Sequence, residues 1–381
     1  MKGLILDAEA KTAHIQDVPQ PQPGPGEVLV QVKAVALNPV DATYVALPLG
    51  KSGRTVGSDF CGVVVQTTSS GALQKGQRVA GFLQGACSVN DRPGSFAEYL
   101  VILEDLVWRV PDSISDEEAA AINLCGLTAA QAVFHRLKLP APFGWGDHAP
   151  ASYTLPGDSS RDIWFLVYGA TTSVGMYAAQ YVRRSAEASG RTIRLIGAAS
   201  KGHWDMLRAE PYGYAGLVDY KDPNWVEEVR KITGGEGVDF AYDSISEGST
   251  VKMVSHTLRT GGKMAIVRSK ASGFWETEGL AEGVEPIYGA VWEGLGVEIQ
   301  YVKFAVPASP DARAFAVAWY KWLSEGGKLQ ANPLRHMPGG LEQIVSDGFV
   351  LLGAGSLNDR KHDRTEPWMK RISAEKMVYK L

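Results

Sequence analysis

The apolar positions of this chain fall into two textures. Up to about residue 125 they come in short alternating runs. Val28, Val30, Val32 and Ala34 share one face of a strand over 27–36, and further short strands over 3–6, 13–18, 57–65, 77–82 and 95–102 are set off by Gly or Pro. A period of two puts one face into a core, and many short strands with glycine punctuation predict a small barrel or sandwich. From 163 to about 306, apolar runs alternate with helical spacing. Candidate strands cover 163–168, 193–198, 216–219, 238–242, 263–267 and 297–302, with helices over 175–188, 203–210, 225–232 and 248–258. That alternation predicts an α/β fold with a doubly wound parallel sheet, whose ligands bind beyond the C-terminal strand ends.

Between and after these parts lie less regular stretches. Ser115 and Glu118 form a capping box for a helix from Asp116, and a second helix is expected over 128–137. Residues 139–162 carry Pro140, Pro142, Pro150 and Pro156, which predicts a mobile loop or flap. A helix over 311–324 turns Phe315, Ala318, Trp319 and Trp322 toward a core. A helix over 341–351, a polar loop over 353–370 and a strand over 374–381 close the chain.

Composition changes this picture only by exclusion. The 381 residues are 45% hydrophobic and 21% charged, ordinary for a soluble globular protein of two domains. A net charge of −4 gives no basic field for nucleic acid or an anionic membrane. No apolar run approaches a transmembrane span, and Met1-Lys-Gly-Leu-Ile-Leu-Asp7 lacks a secretory pattern. Three separated cysteines (Cys61, Cys87, Cys125) make no metal spacing and no disulfide framework, so the expected location is cytoplasmic. The seven histidines are scattered, none at ligand spacing with Cys or Glu, so no metal is expected.

The chemistry concentrates where the run Ile163-Trp-Phe-Leu-Val-Tyr168 meets Gly169-Ala-Thr-Thr-Ser-Val174 and a helix opens near Gly175. A strand feeding a helix N-terminus through small residues aims backbone N–H groups and the positive helix end at an anion. Thr172, Ser173, Val174 and Gly175 are therefore candidates to hold a dinucleotide pyrophosphate; the same turn also serves as an ordinary strand–helix connection. The next strand, where an acid usually grips the ribose of NAD, ends instead in Ala198-Ala-Ser-Lys201. A hydroxyl and a cation there suit a 2′-phosphate, as in NADP, and Tyr220 ends the neighbouring strand.

Several motifs then carry a resemblance. Ala36-Leu-Asn-Pro-Val-Asp41, Gly57-Ser-Asp-Phe-Cys-Gly-Val-Val64, Gly76-Gln-Arg-Val-Ala-Gly81, Gly94-Ser-Phe-Ala-Glu-Tyr99 and Leu127-Thr-Ala-Ala130 resemble the medium-chain dehydrogenase/reductase superfamily in order and spacing. Within it the chain is most similar to the zinc-free quinone-oxidoreductase and enoyl-reductase branch. The proline-rich insertion and the Tyr168-Gly-Ala-Thr-Thr-Ser173 turn resemble fungal trans-acting enoyl reductases that serve polyketide synthases. The resemblance implies a GroES-like domain from 1–125 and 307–381, a Rossmann NADPH-binding domain over 126–306, and a cofactor in the cleft. Zinc members have a cysteine where this chain has Asn38 and a Gly-His-Glu motif where it reads Gly57-Ser58-Asp59. Both departures favour hydride transfer to a conjugated C=C or a quinone.

Residue by residue, the resemblance implies Asn38, Val40, Asp41 and Thr43 near the nicotinamide end, with Thr128 also along the cofactor. Thr172, Ser173, Val174 and Gly175 would hold the pyrophosphate. Ser200, Lys201, Gly202, His203 and Tyr220 would hold the adenosine phosphate, and Val267, Arg268, Met377 and Val378 would pack along the cofactor. Leu124, Cys125, Thr128, Tyr288, Gly289 and Trp292 would line the substrate pocket. Thr43 stands where related enoyl reductases can carry a lysine. An enoyl reductase must supply a proton after hydride delivery, and Tyr44 is the nearest candidate donor, with water the alternative. The expected activity is NADPH-dependent reduction of an activated double bond. The substrate is a small molecule or carrier-bound, a polyketide synthase is an implied partner, and the chain is a monomer or homodimer. A quinone or carbonyl reductase, or a non-catalytic NADPH-binding accessory protein, remains the alternative.

Overall fold

A computed structural model describes all residues except 69, 70, 72, 154 and 158–160. Residues 154 and 158–160 belong to the expected flap over 139–162, and that part of it lies outside the described residues. The chain divides into two compact units, Met1–Cys125 with Trp292–Leu381 and Gly126–Val291.

The first unit begins with β1 (Lys2–Asp7) and β2 (Thr12–Asp17), an antiparallel pair. Then β3 (Glu27–Ala36) leads into the short helix α1 (Pro39–Ala46). Next come β4 (Asp59–Thr67), β5 (Arg78–Phe82), β6 (Tyr99–Leu103) and β7 (Val107–Arg109). The alternation read over 27–36 becomes the central strand of a mostly antiparallel sheet, β3 pairing with β4, β6 and a strand from the end of the chain. Gly62 sits where β4 presses on β3, and a Cβ there would lie 2.2 Å from the Gln31 carbonyl oxygen, so a side chain would push the two strands apart. Helix α2 (Asp116–Ala130) starts with the expected box, the Ser115 N–H donating to Glu118 and the Glu118 N–H to the Ser115 hydroxyl. The second helix expected over 128–137 is its continuation, a π-helical turn over Gln131–Arg136, because no Gly or Pro interrupts the backbone there.

The second unit is a six-stranded sheet, all parallel. In chain order its elements are β8 (Ile163–Tyr168), α3 (Ser173–Ser189), β9 (Ile193–Ala198), α4 (Trp204–Arg208), β10 (Gly216–Val218), α5 (Trp225–Ile232), β11 (Val238–Asp243), α6 (Thr250–Ser255), β12 (Leu258–Ile266) and β13 (Ile287–Tyr288). The strand order is β10-β9-β8-β11-β12-β13. Chain order reverses between β8 and β11, the switch point beyond which ligands bind in such sheets. Ile163, Phe165, Leu166 and Val167 of β8 are wholly buried, as a central parallel strand requires. The first half of the proline-rich stretch packs down through Phe143 and Trp145. Phe143 lies 5.9 Å from Phe134 and 6.0 Å from Trp145, whose indole N–H donates to the His148 carbonyl at 2.9 Å.

The strand expected over 297–302 does not join this sheet. It forms β14 (Ile299–Gln300), which pairs antiparallel with β15 (Ala305–Val306) under a stacked Tyr301–Phe304 pair, inside the first unit. A run of apolar residues marks a strand but carries no address for a sheet, and the edge position went to the two-residue β13. Helix α7 (Pro310–Ser324) buries Phe315, Trp319, Tyr320 and Leu323; of the expected stripe Phe315 and Trp319 are core, while Ala318 and Trp322 are half-buried and Tyr320 and Leu323 are buried instead. The helix expected over 341–351 is a succession of short turns, a 3-10 turn, a π-helical turn and Val350–Leu352. Finally β16 (Leu334–His336) and β17 (Lys376–Lys380) return to the first sheet, β17 beside β3.

Candidate functional site

In the second unit the turn between β8 and α3 is built by glycines with distinct duties. Gly169 has φ +76°, and a Cβ on it would meet the Ser244 hydroxyl at 2.7 Å. A Cβ on Gly175 would come within 2.4 Å of the Gly169 carbonyl oxygen, so the helix can start this close to the strand only without a side chain. Thr172 is the N-cap of α3: its hydroxyl oxygen accepts the Gly175 N–H at 2.9 Å and donates to Ser244 Oγ at 2.9 Å. Ser244 in turn donates to the Tyr168 carbonyl at 2.7 Å. Ser173 and Val174 are half-buried at the first turn of a 17-residue helix. Such a terminus, pointing its amides beyond the strand ends, fits a pyrophosphate.

The neighbouring strand ends supply the rest of a dinucleotide rim. Ser200 Oγ donates to Tyr220 Oη at 3.4 Å, joining the ends of β9 and β10. Tyr220 is 40% exposed, with the Lys221 ammonium 5.9 Å from its ring centre. Lys201 and Gly202 are exposed and His203 half-buried, and a Cβ on Gly202 would meet nothing within 4 Å. Open space, two hydroxyls and cations fit a phosphorylated ribose. At the end of β11, Asp243 is fully buried and takes the Ile245 and Ser246 N–H groups and the Thr250 hydroxyl. Burial pushes its carboxyl pKa up while the Thr250, Ser246 and Ile245 hydrogen bonds pull against it. Val267 donates its N–H to Ser246 Oγ at 3.1 Å. The Arg268 guanidinium pairs with Glu247 at 2.9 Å and lies 4.3 Å from the Phe274 ring centre. Tyr288 lies in β13, and Thr128 is half-buried in α2. Gly289 lies under Arg136, where a Cβ would fall 2.0 Å from the guanidinium. Neither Asp243 nor Arg136 was marked by any motif.

In the first unit the structure gathers residues from four stretches into one buried polar cluster. Asn38 is wholly buried. Its Nδ2 donates to Ser58 Oγ at 2.9 Å and to Asp59 Oδ2 at 2.8 Å, and its Oδ1 accepts from Cys125 Sγ at 3.2 Å and from Lys376 Nζ. Lys376 also pairs with Asp59 Oδ2 at 3.1 Å and contacts Cys125 Sγ at 3.4 Å. Asp59 Oδ1 accepts the Leu124 N–H at 2.7 Å. Burial works against the Lys376 charge, yet Cys125 and Asp59 beside it hold its pKa above the ordinary lysine value. Burial raises the Asp59 pKa, opposed by the ammonium and the N–H donors. Since both Asp59 oxygens only accept hydrogen bonds, the pair is ionised. Burial likewise pushes Cys125 up.

Asp41, on α1, accepts the Asn38 N–H at 2.8 Å. Burial pushes its pKa up to about 7, against the Asn38 N–H and the Ser58 hydroxyl, with Asp59 raising it and Lys376 lowering it. Thr43 donates to the Pro39 carbonyl at 2.8 Å, and Tyr44 is half-buried on the same helix. Val40 is half-buried, its carbonyl 3.9 Å from Cys87 Sγ. Met377 and Val378 are buried in β17, the Met377 carbonyl accepting the Leu37 N–H. Trp292 is buried against Phe82 at 5.7 Å in the same unit. Sequence reading named Asn38 and Cys125 but missed Lys376, because a lone lysine in a strand reads as solvated. Among the described residues no three His, Cys, Asp or Glu side chains cluster in metal-binding geometry, and no helix is long and apolar enough to cross a membrane.

A GroES-like unit made from both ends of the chain and a parallel Rossmann sheet from its middle define a class, the nicotinamide-dependent medium-chain oxidoreductases. Family profiles agree: the alcohol dehydrogenase GroES-like domain matches residues 24–112 and the zinc-binding dehydrogenase profile matches 173–273. The chain belongs to the medium-chain dehydrogenase/reductase family, in its enoyl-reductase branch. The trans-enoyl reductase traG of Penicillium crustosum is 30% identical over 94% of this chain and 95% of its own length. The enoyl reductase cheB of Chaetomium globosum is 30% identical over 99% and 93%. Among solved structures, the CurK enoyl reductase shares the fold at a TM-score of 0.71 and 19% identity, covering 100% of this chain and 98% of its own. A mycobacterial protein complexed with NADPH does so at 0.66 and 21%, over 100% of both chains.

Proposed function

We propose that this chain reduces the activated C=C of an enoyl thioester with NADPH, on a substrate presented in trans by a polyketide synthase. The observation that carries the coenzyme preference is the rim at the ends of β9 and β10. Ser200 and Tyr220 meet there, Lys201 is exposed, and the first of these strands ends without an acid. A carboxylate at that point would repel a 2′-phosphate, and a lysine attracts it. The substrate class is supported by near-full-length similarity to trans-enoyl reductases.

When bound, the coenzyme supplies a hydride for the substrate β-carbon. The chain's own residues then bind, orient and protonate. The Ser173 and Val174 amides at the start of α3 meet the pyrophosphate, and Thr172, fixed by Ser244, holds that turn open. Lys201, Ser200 and Tyr220 would hold the 2′-phosphate. Val40, Asp41 and Thr43 form the α1 segment assigned to the nicotinamide end. Leu124, Tyr288 and Gly289 are assigned to the substrate. The Tyr44 phenol is assigned as the acid that delivers a proton to the α-carbon, completing the reduction.

The test is oxidation of NADPH and of NADH by purified protein, offered short enoyl thioesters, a carrier-bound enoyl chain and quinones in parallel. Enoyl turnover with NADPH preferred at least about tenfold over NADH is expected, that being roughly one charge-assisted contact. Turnover of quinones alone would overturn the substrate class, and equal use of both coenzymes would overturn the rim.

A further inference from the structure

Three observations converge on Lys376. The first is saturation. Its ammonium has three protons and three acceptors, Asn38 Oδ1, Asp59 Oδ2 and Cys125 Sγ, at a side chain 3% exposed. The Asn38 amide is equally spent, donating to Ser58 and Asp59 and accepting from Lys376 and Cys125. No hydrogen-bonding capacity in either group is left over, so each fixes the other's position and rotamer.

The second observation is what Asn38 begins. It is the N-cap of α1, at φ −122° and ψ 151°, and shares a capping box with Asp41, whose carboxylate accepts the Asn38 N–H at 2.8 Å. The box ties the first turn of the helix to Asn38, and the Asn38 side-chain amide is in turn held by the cluster. Helix α1 is eight residues long, too short to hold its own conformation in water. Its start is tied down by Asn38, and Asn38 by Lys376, Asp59, Ser58 and Cys125. The third is place: α1 carries Val40, Asp41, Thr43 and Tyr44, the segment assigned to the nicotinamide and to proton delivery. Lys376 reaches it from the far end of the sequence, through a strand held to β3 by the Val378–Ala36 pairing.

We propose that the Lys376 ammonium is a positioning residue, an internal cation that grips Asn38 and so holds α1, with Thr43 and Tyr44, in its working orientation. It touches neither coenzyme nor substrate; its effect passes through the helix start. The proposal rests on the reductase reading for its consequence in turnover, and on the cluster alone for its consequence in the helix.

Three variants test it: Lys376→Met, Asp59→Asn/Lys376→Met and Lys376→Arg. The single Lys376→Met change strands the Asp59 carboxylate and lowers stability, and the double variant removes that stranded charge. Expected in Lys376→Met are a drop in kcat of roughly 10²-fold, as for a misplaced reacting group, a smaller loss of NADPH affinity by fluorescence titration, and faster hydrogen exchange of the α1 amides. The double variant should regain melting temperature while kcat stays low and α1 exchange stays fast, since nothing grips Asn38. Lys376→Arg, which keeps a cation, should restore part of both. Recovery of kcat and α1 protection in step with melting temperature, or no change in either in Lys376→Met, overturns the proposal. Wild-type protein inert toward every acceptor strikes the reductase reading instead, and α1 exchange then decides the anchor by itself.

Discussion

The β8–α3 turn of the second unit, proposed to hold the coenzyme, and the polar cluster of the first are built on opposite plans. The turn is local: Gly169, Thr172 and Gly175 lie within seven residues, braced from elsewhere in the chain by Ser244 and the Ala198 carbonyl. Gly169 and Thr172 sit half-buried, and Lys201 and Tyr220 beside them form an exposed rim. The cluster is assembled from four stretches, is buried, and has its donors and acceptors matched to one another. A site that binds must keep hydrogen-bonding groups in reserve, whereas a site that holds geometry must use them up.

That contrast can be broken most severely at the cluster. Lys376→Met should cost about 3–5 kcal/mol of unfolding free energy in urea titration, the usual loss when one partner of a buried ion pair is removed. A loss near 1 kcal/mol would mean that water reaches Asp59. Next in size is Asp41. Unfolded, it titrates near 3.8, and folded, at about 7. Between those values the native state binds the extra proton, so stability falls as pH rises through this window and stays lowered above it. Asp41→Asn removes that loss. The variant should match wild type at pH 4 and exceed it above pH 7 by up to about 4 kcal/mol. Asp59, Lys376, Cys87 and Cys125 also act electrostatically on this carboxyl. Melting temperatures of both proteins across pH 4–8 isolate Asp41 because those neighbours are common to both.

At the turn the expected effects are smaller and fall on binding. Gly175→Ala drives a methyl group against the Gly169 carbonyl, an overpacking cost of about 1–3 kcal/mol. Weakened binding of both NADPH and NADH should accompany it in calorimetry. Lys201→Ala should weaken NADPH by roughly 1.5–3 kcal/mol and leave NADH unchanged. Equal losses for both would place Lys201 away from the 2′-phosphate. Ser244→Ala removes the support of Thr172 and should cost about 1 kcal/mol in stability, the smallest of the set.

The same contrast explains what could be read in advance. The β8 run, the small residues after it and the helical spacing beyond are contiguous, so periodicity and turn chemistry exposed the strand–turn–helix unit directly. The Ser200-Lys201 end of β9 was legible for the same reason. The strand over 297–302 was recognised as a strand but placed in the wrong sheet, since pairing depends on partners far away in the chain. Asp243, Arg136 and Lys376 were overlooked, since no local pattern announces that a polar residue is buried, or half-buried as Arg136 is.

Sequence alone determined the two textures, the parallel α/β unit, the anion-suited turn and the absence of an acid at the ribose position, because each is a property of neighbouring residues. Only the tertiary structure decided that Asn38, Ser58, Asp59, Cys125 and Lys376 share one site. Their energies arise from desolvation and pairing across the fold, and those quantities exist only once distant segments have met.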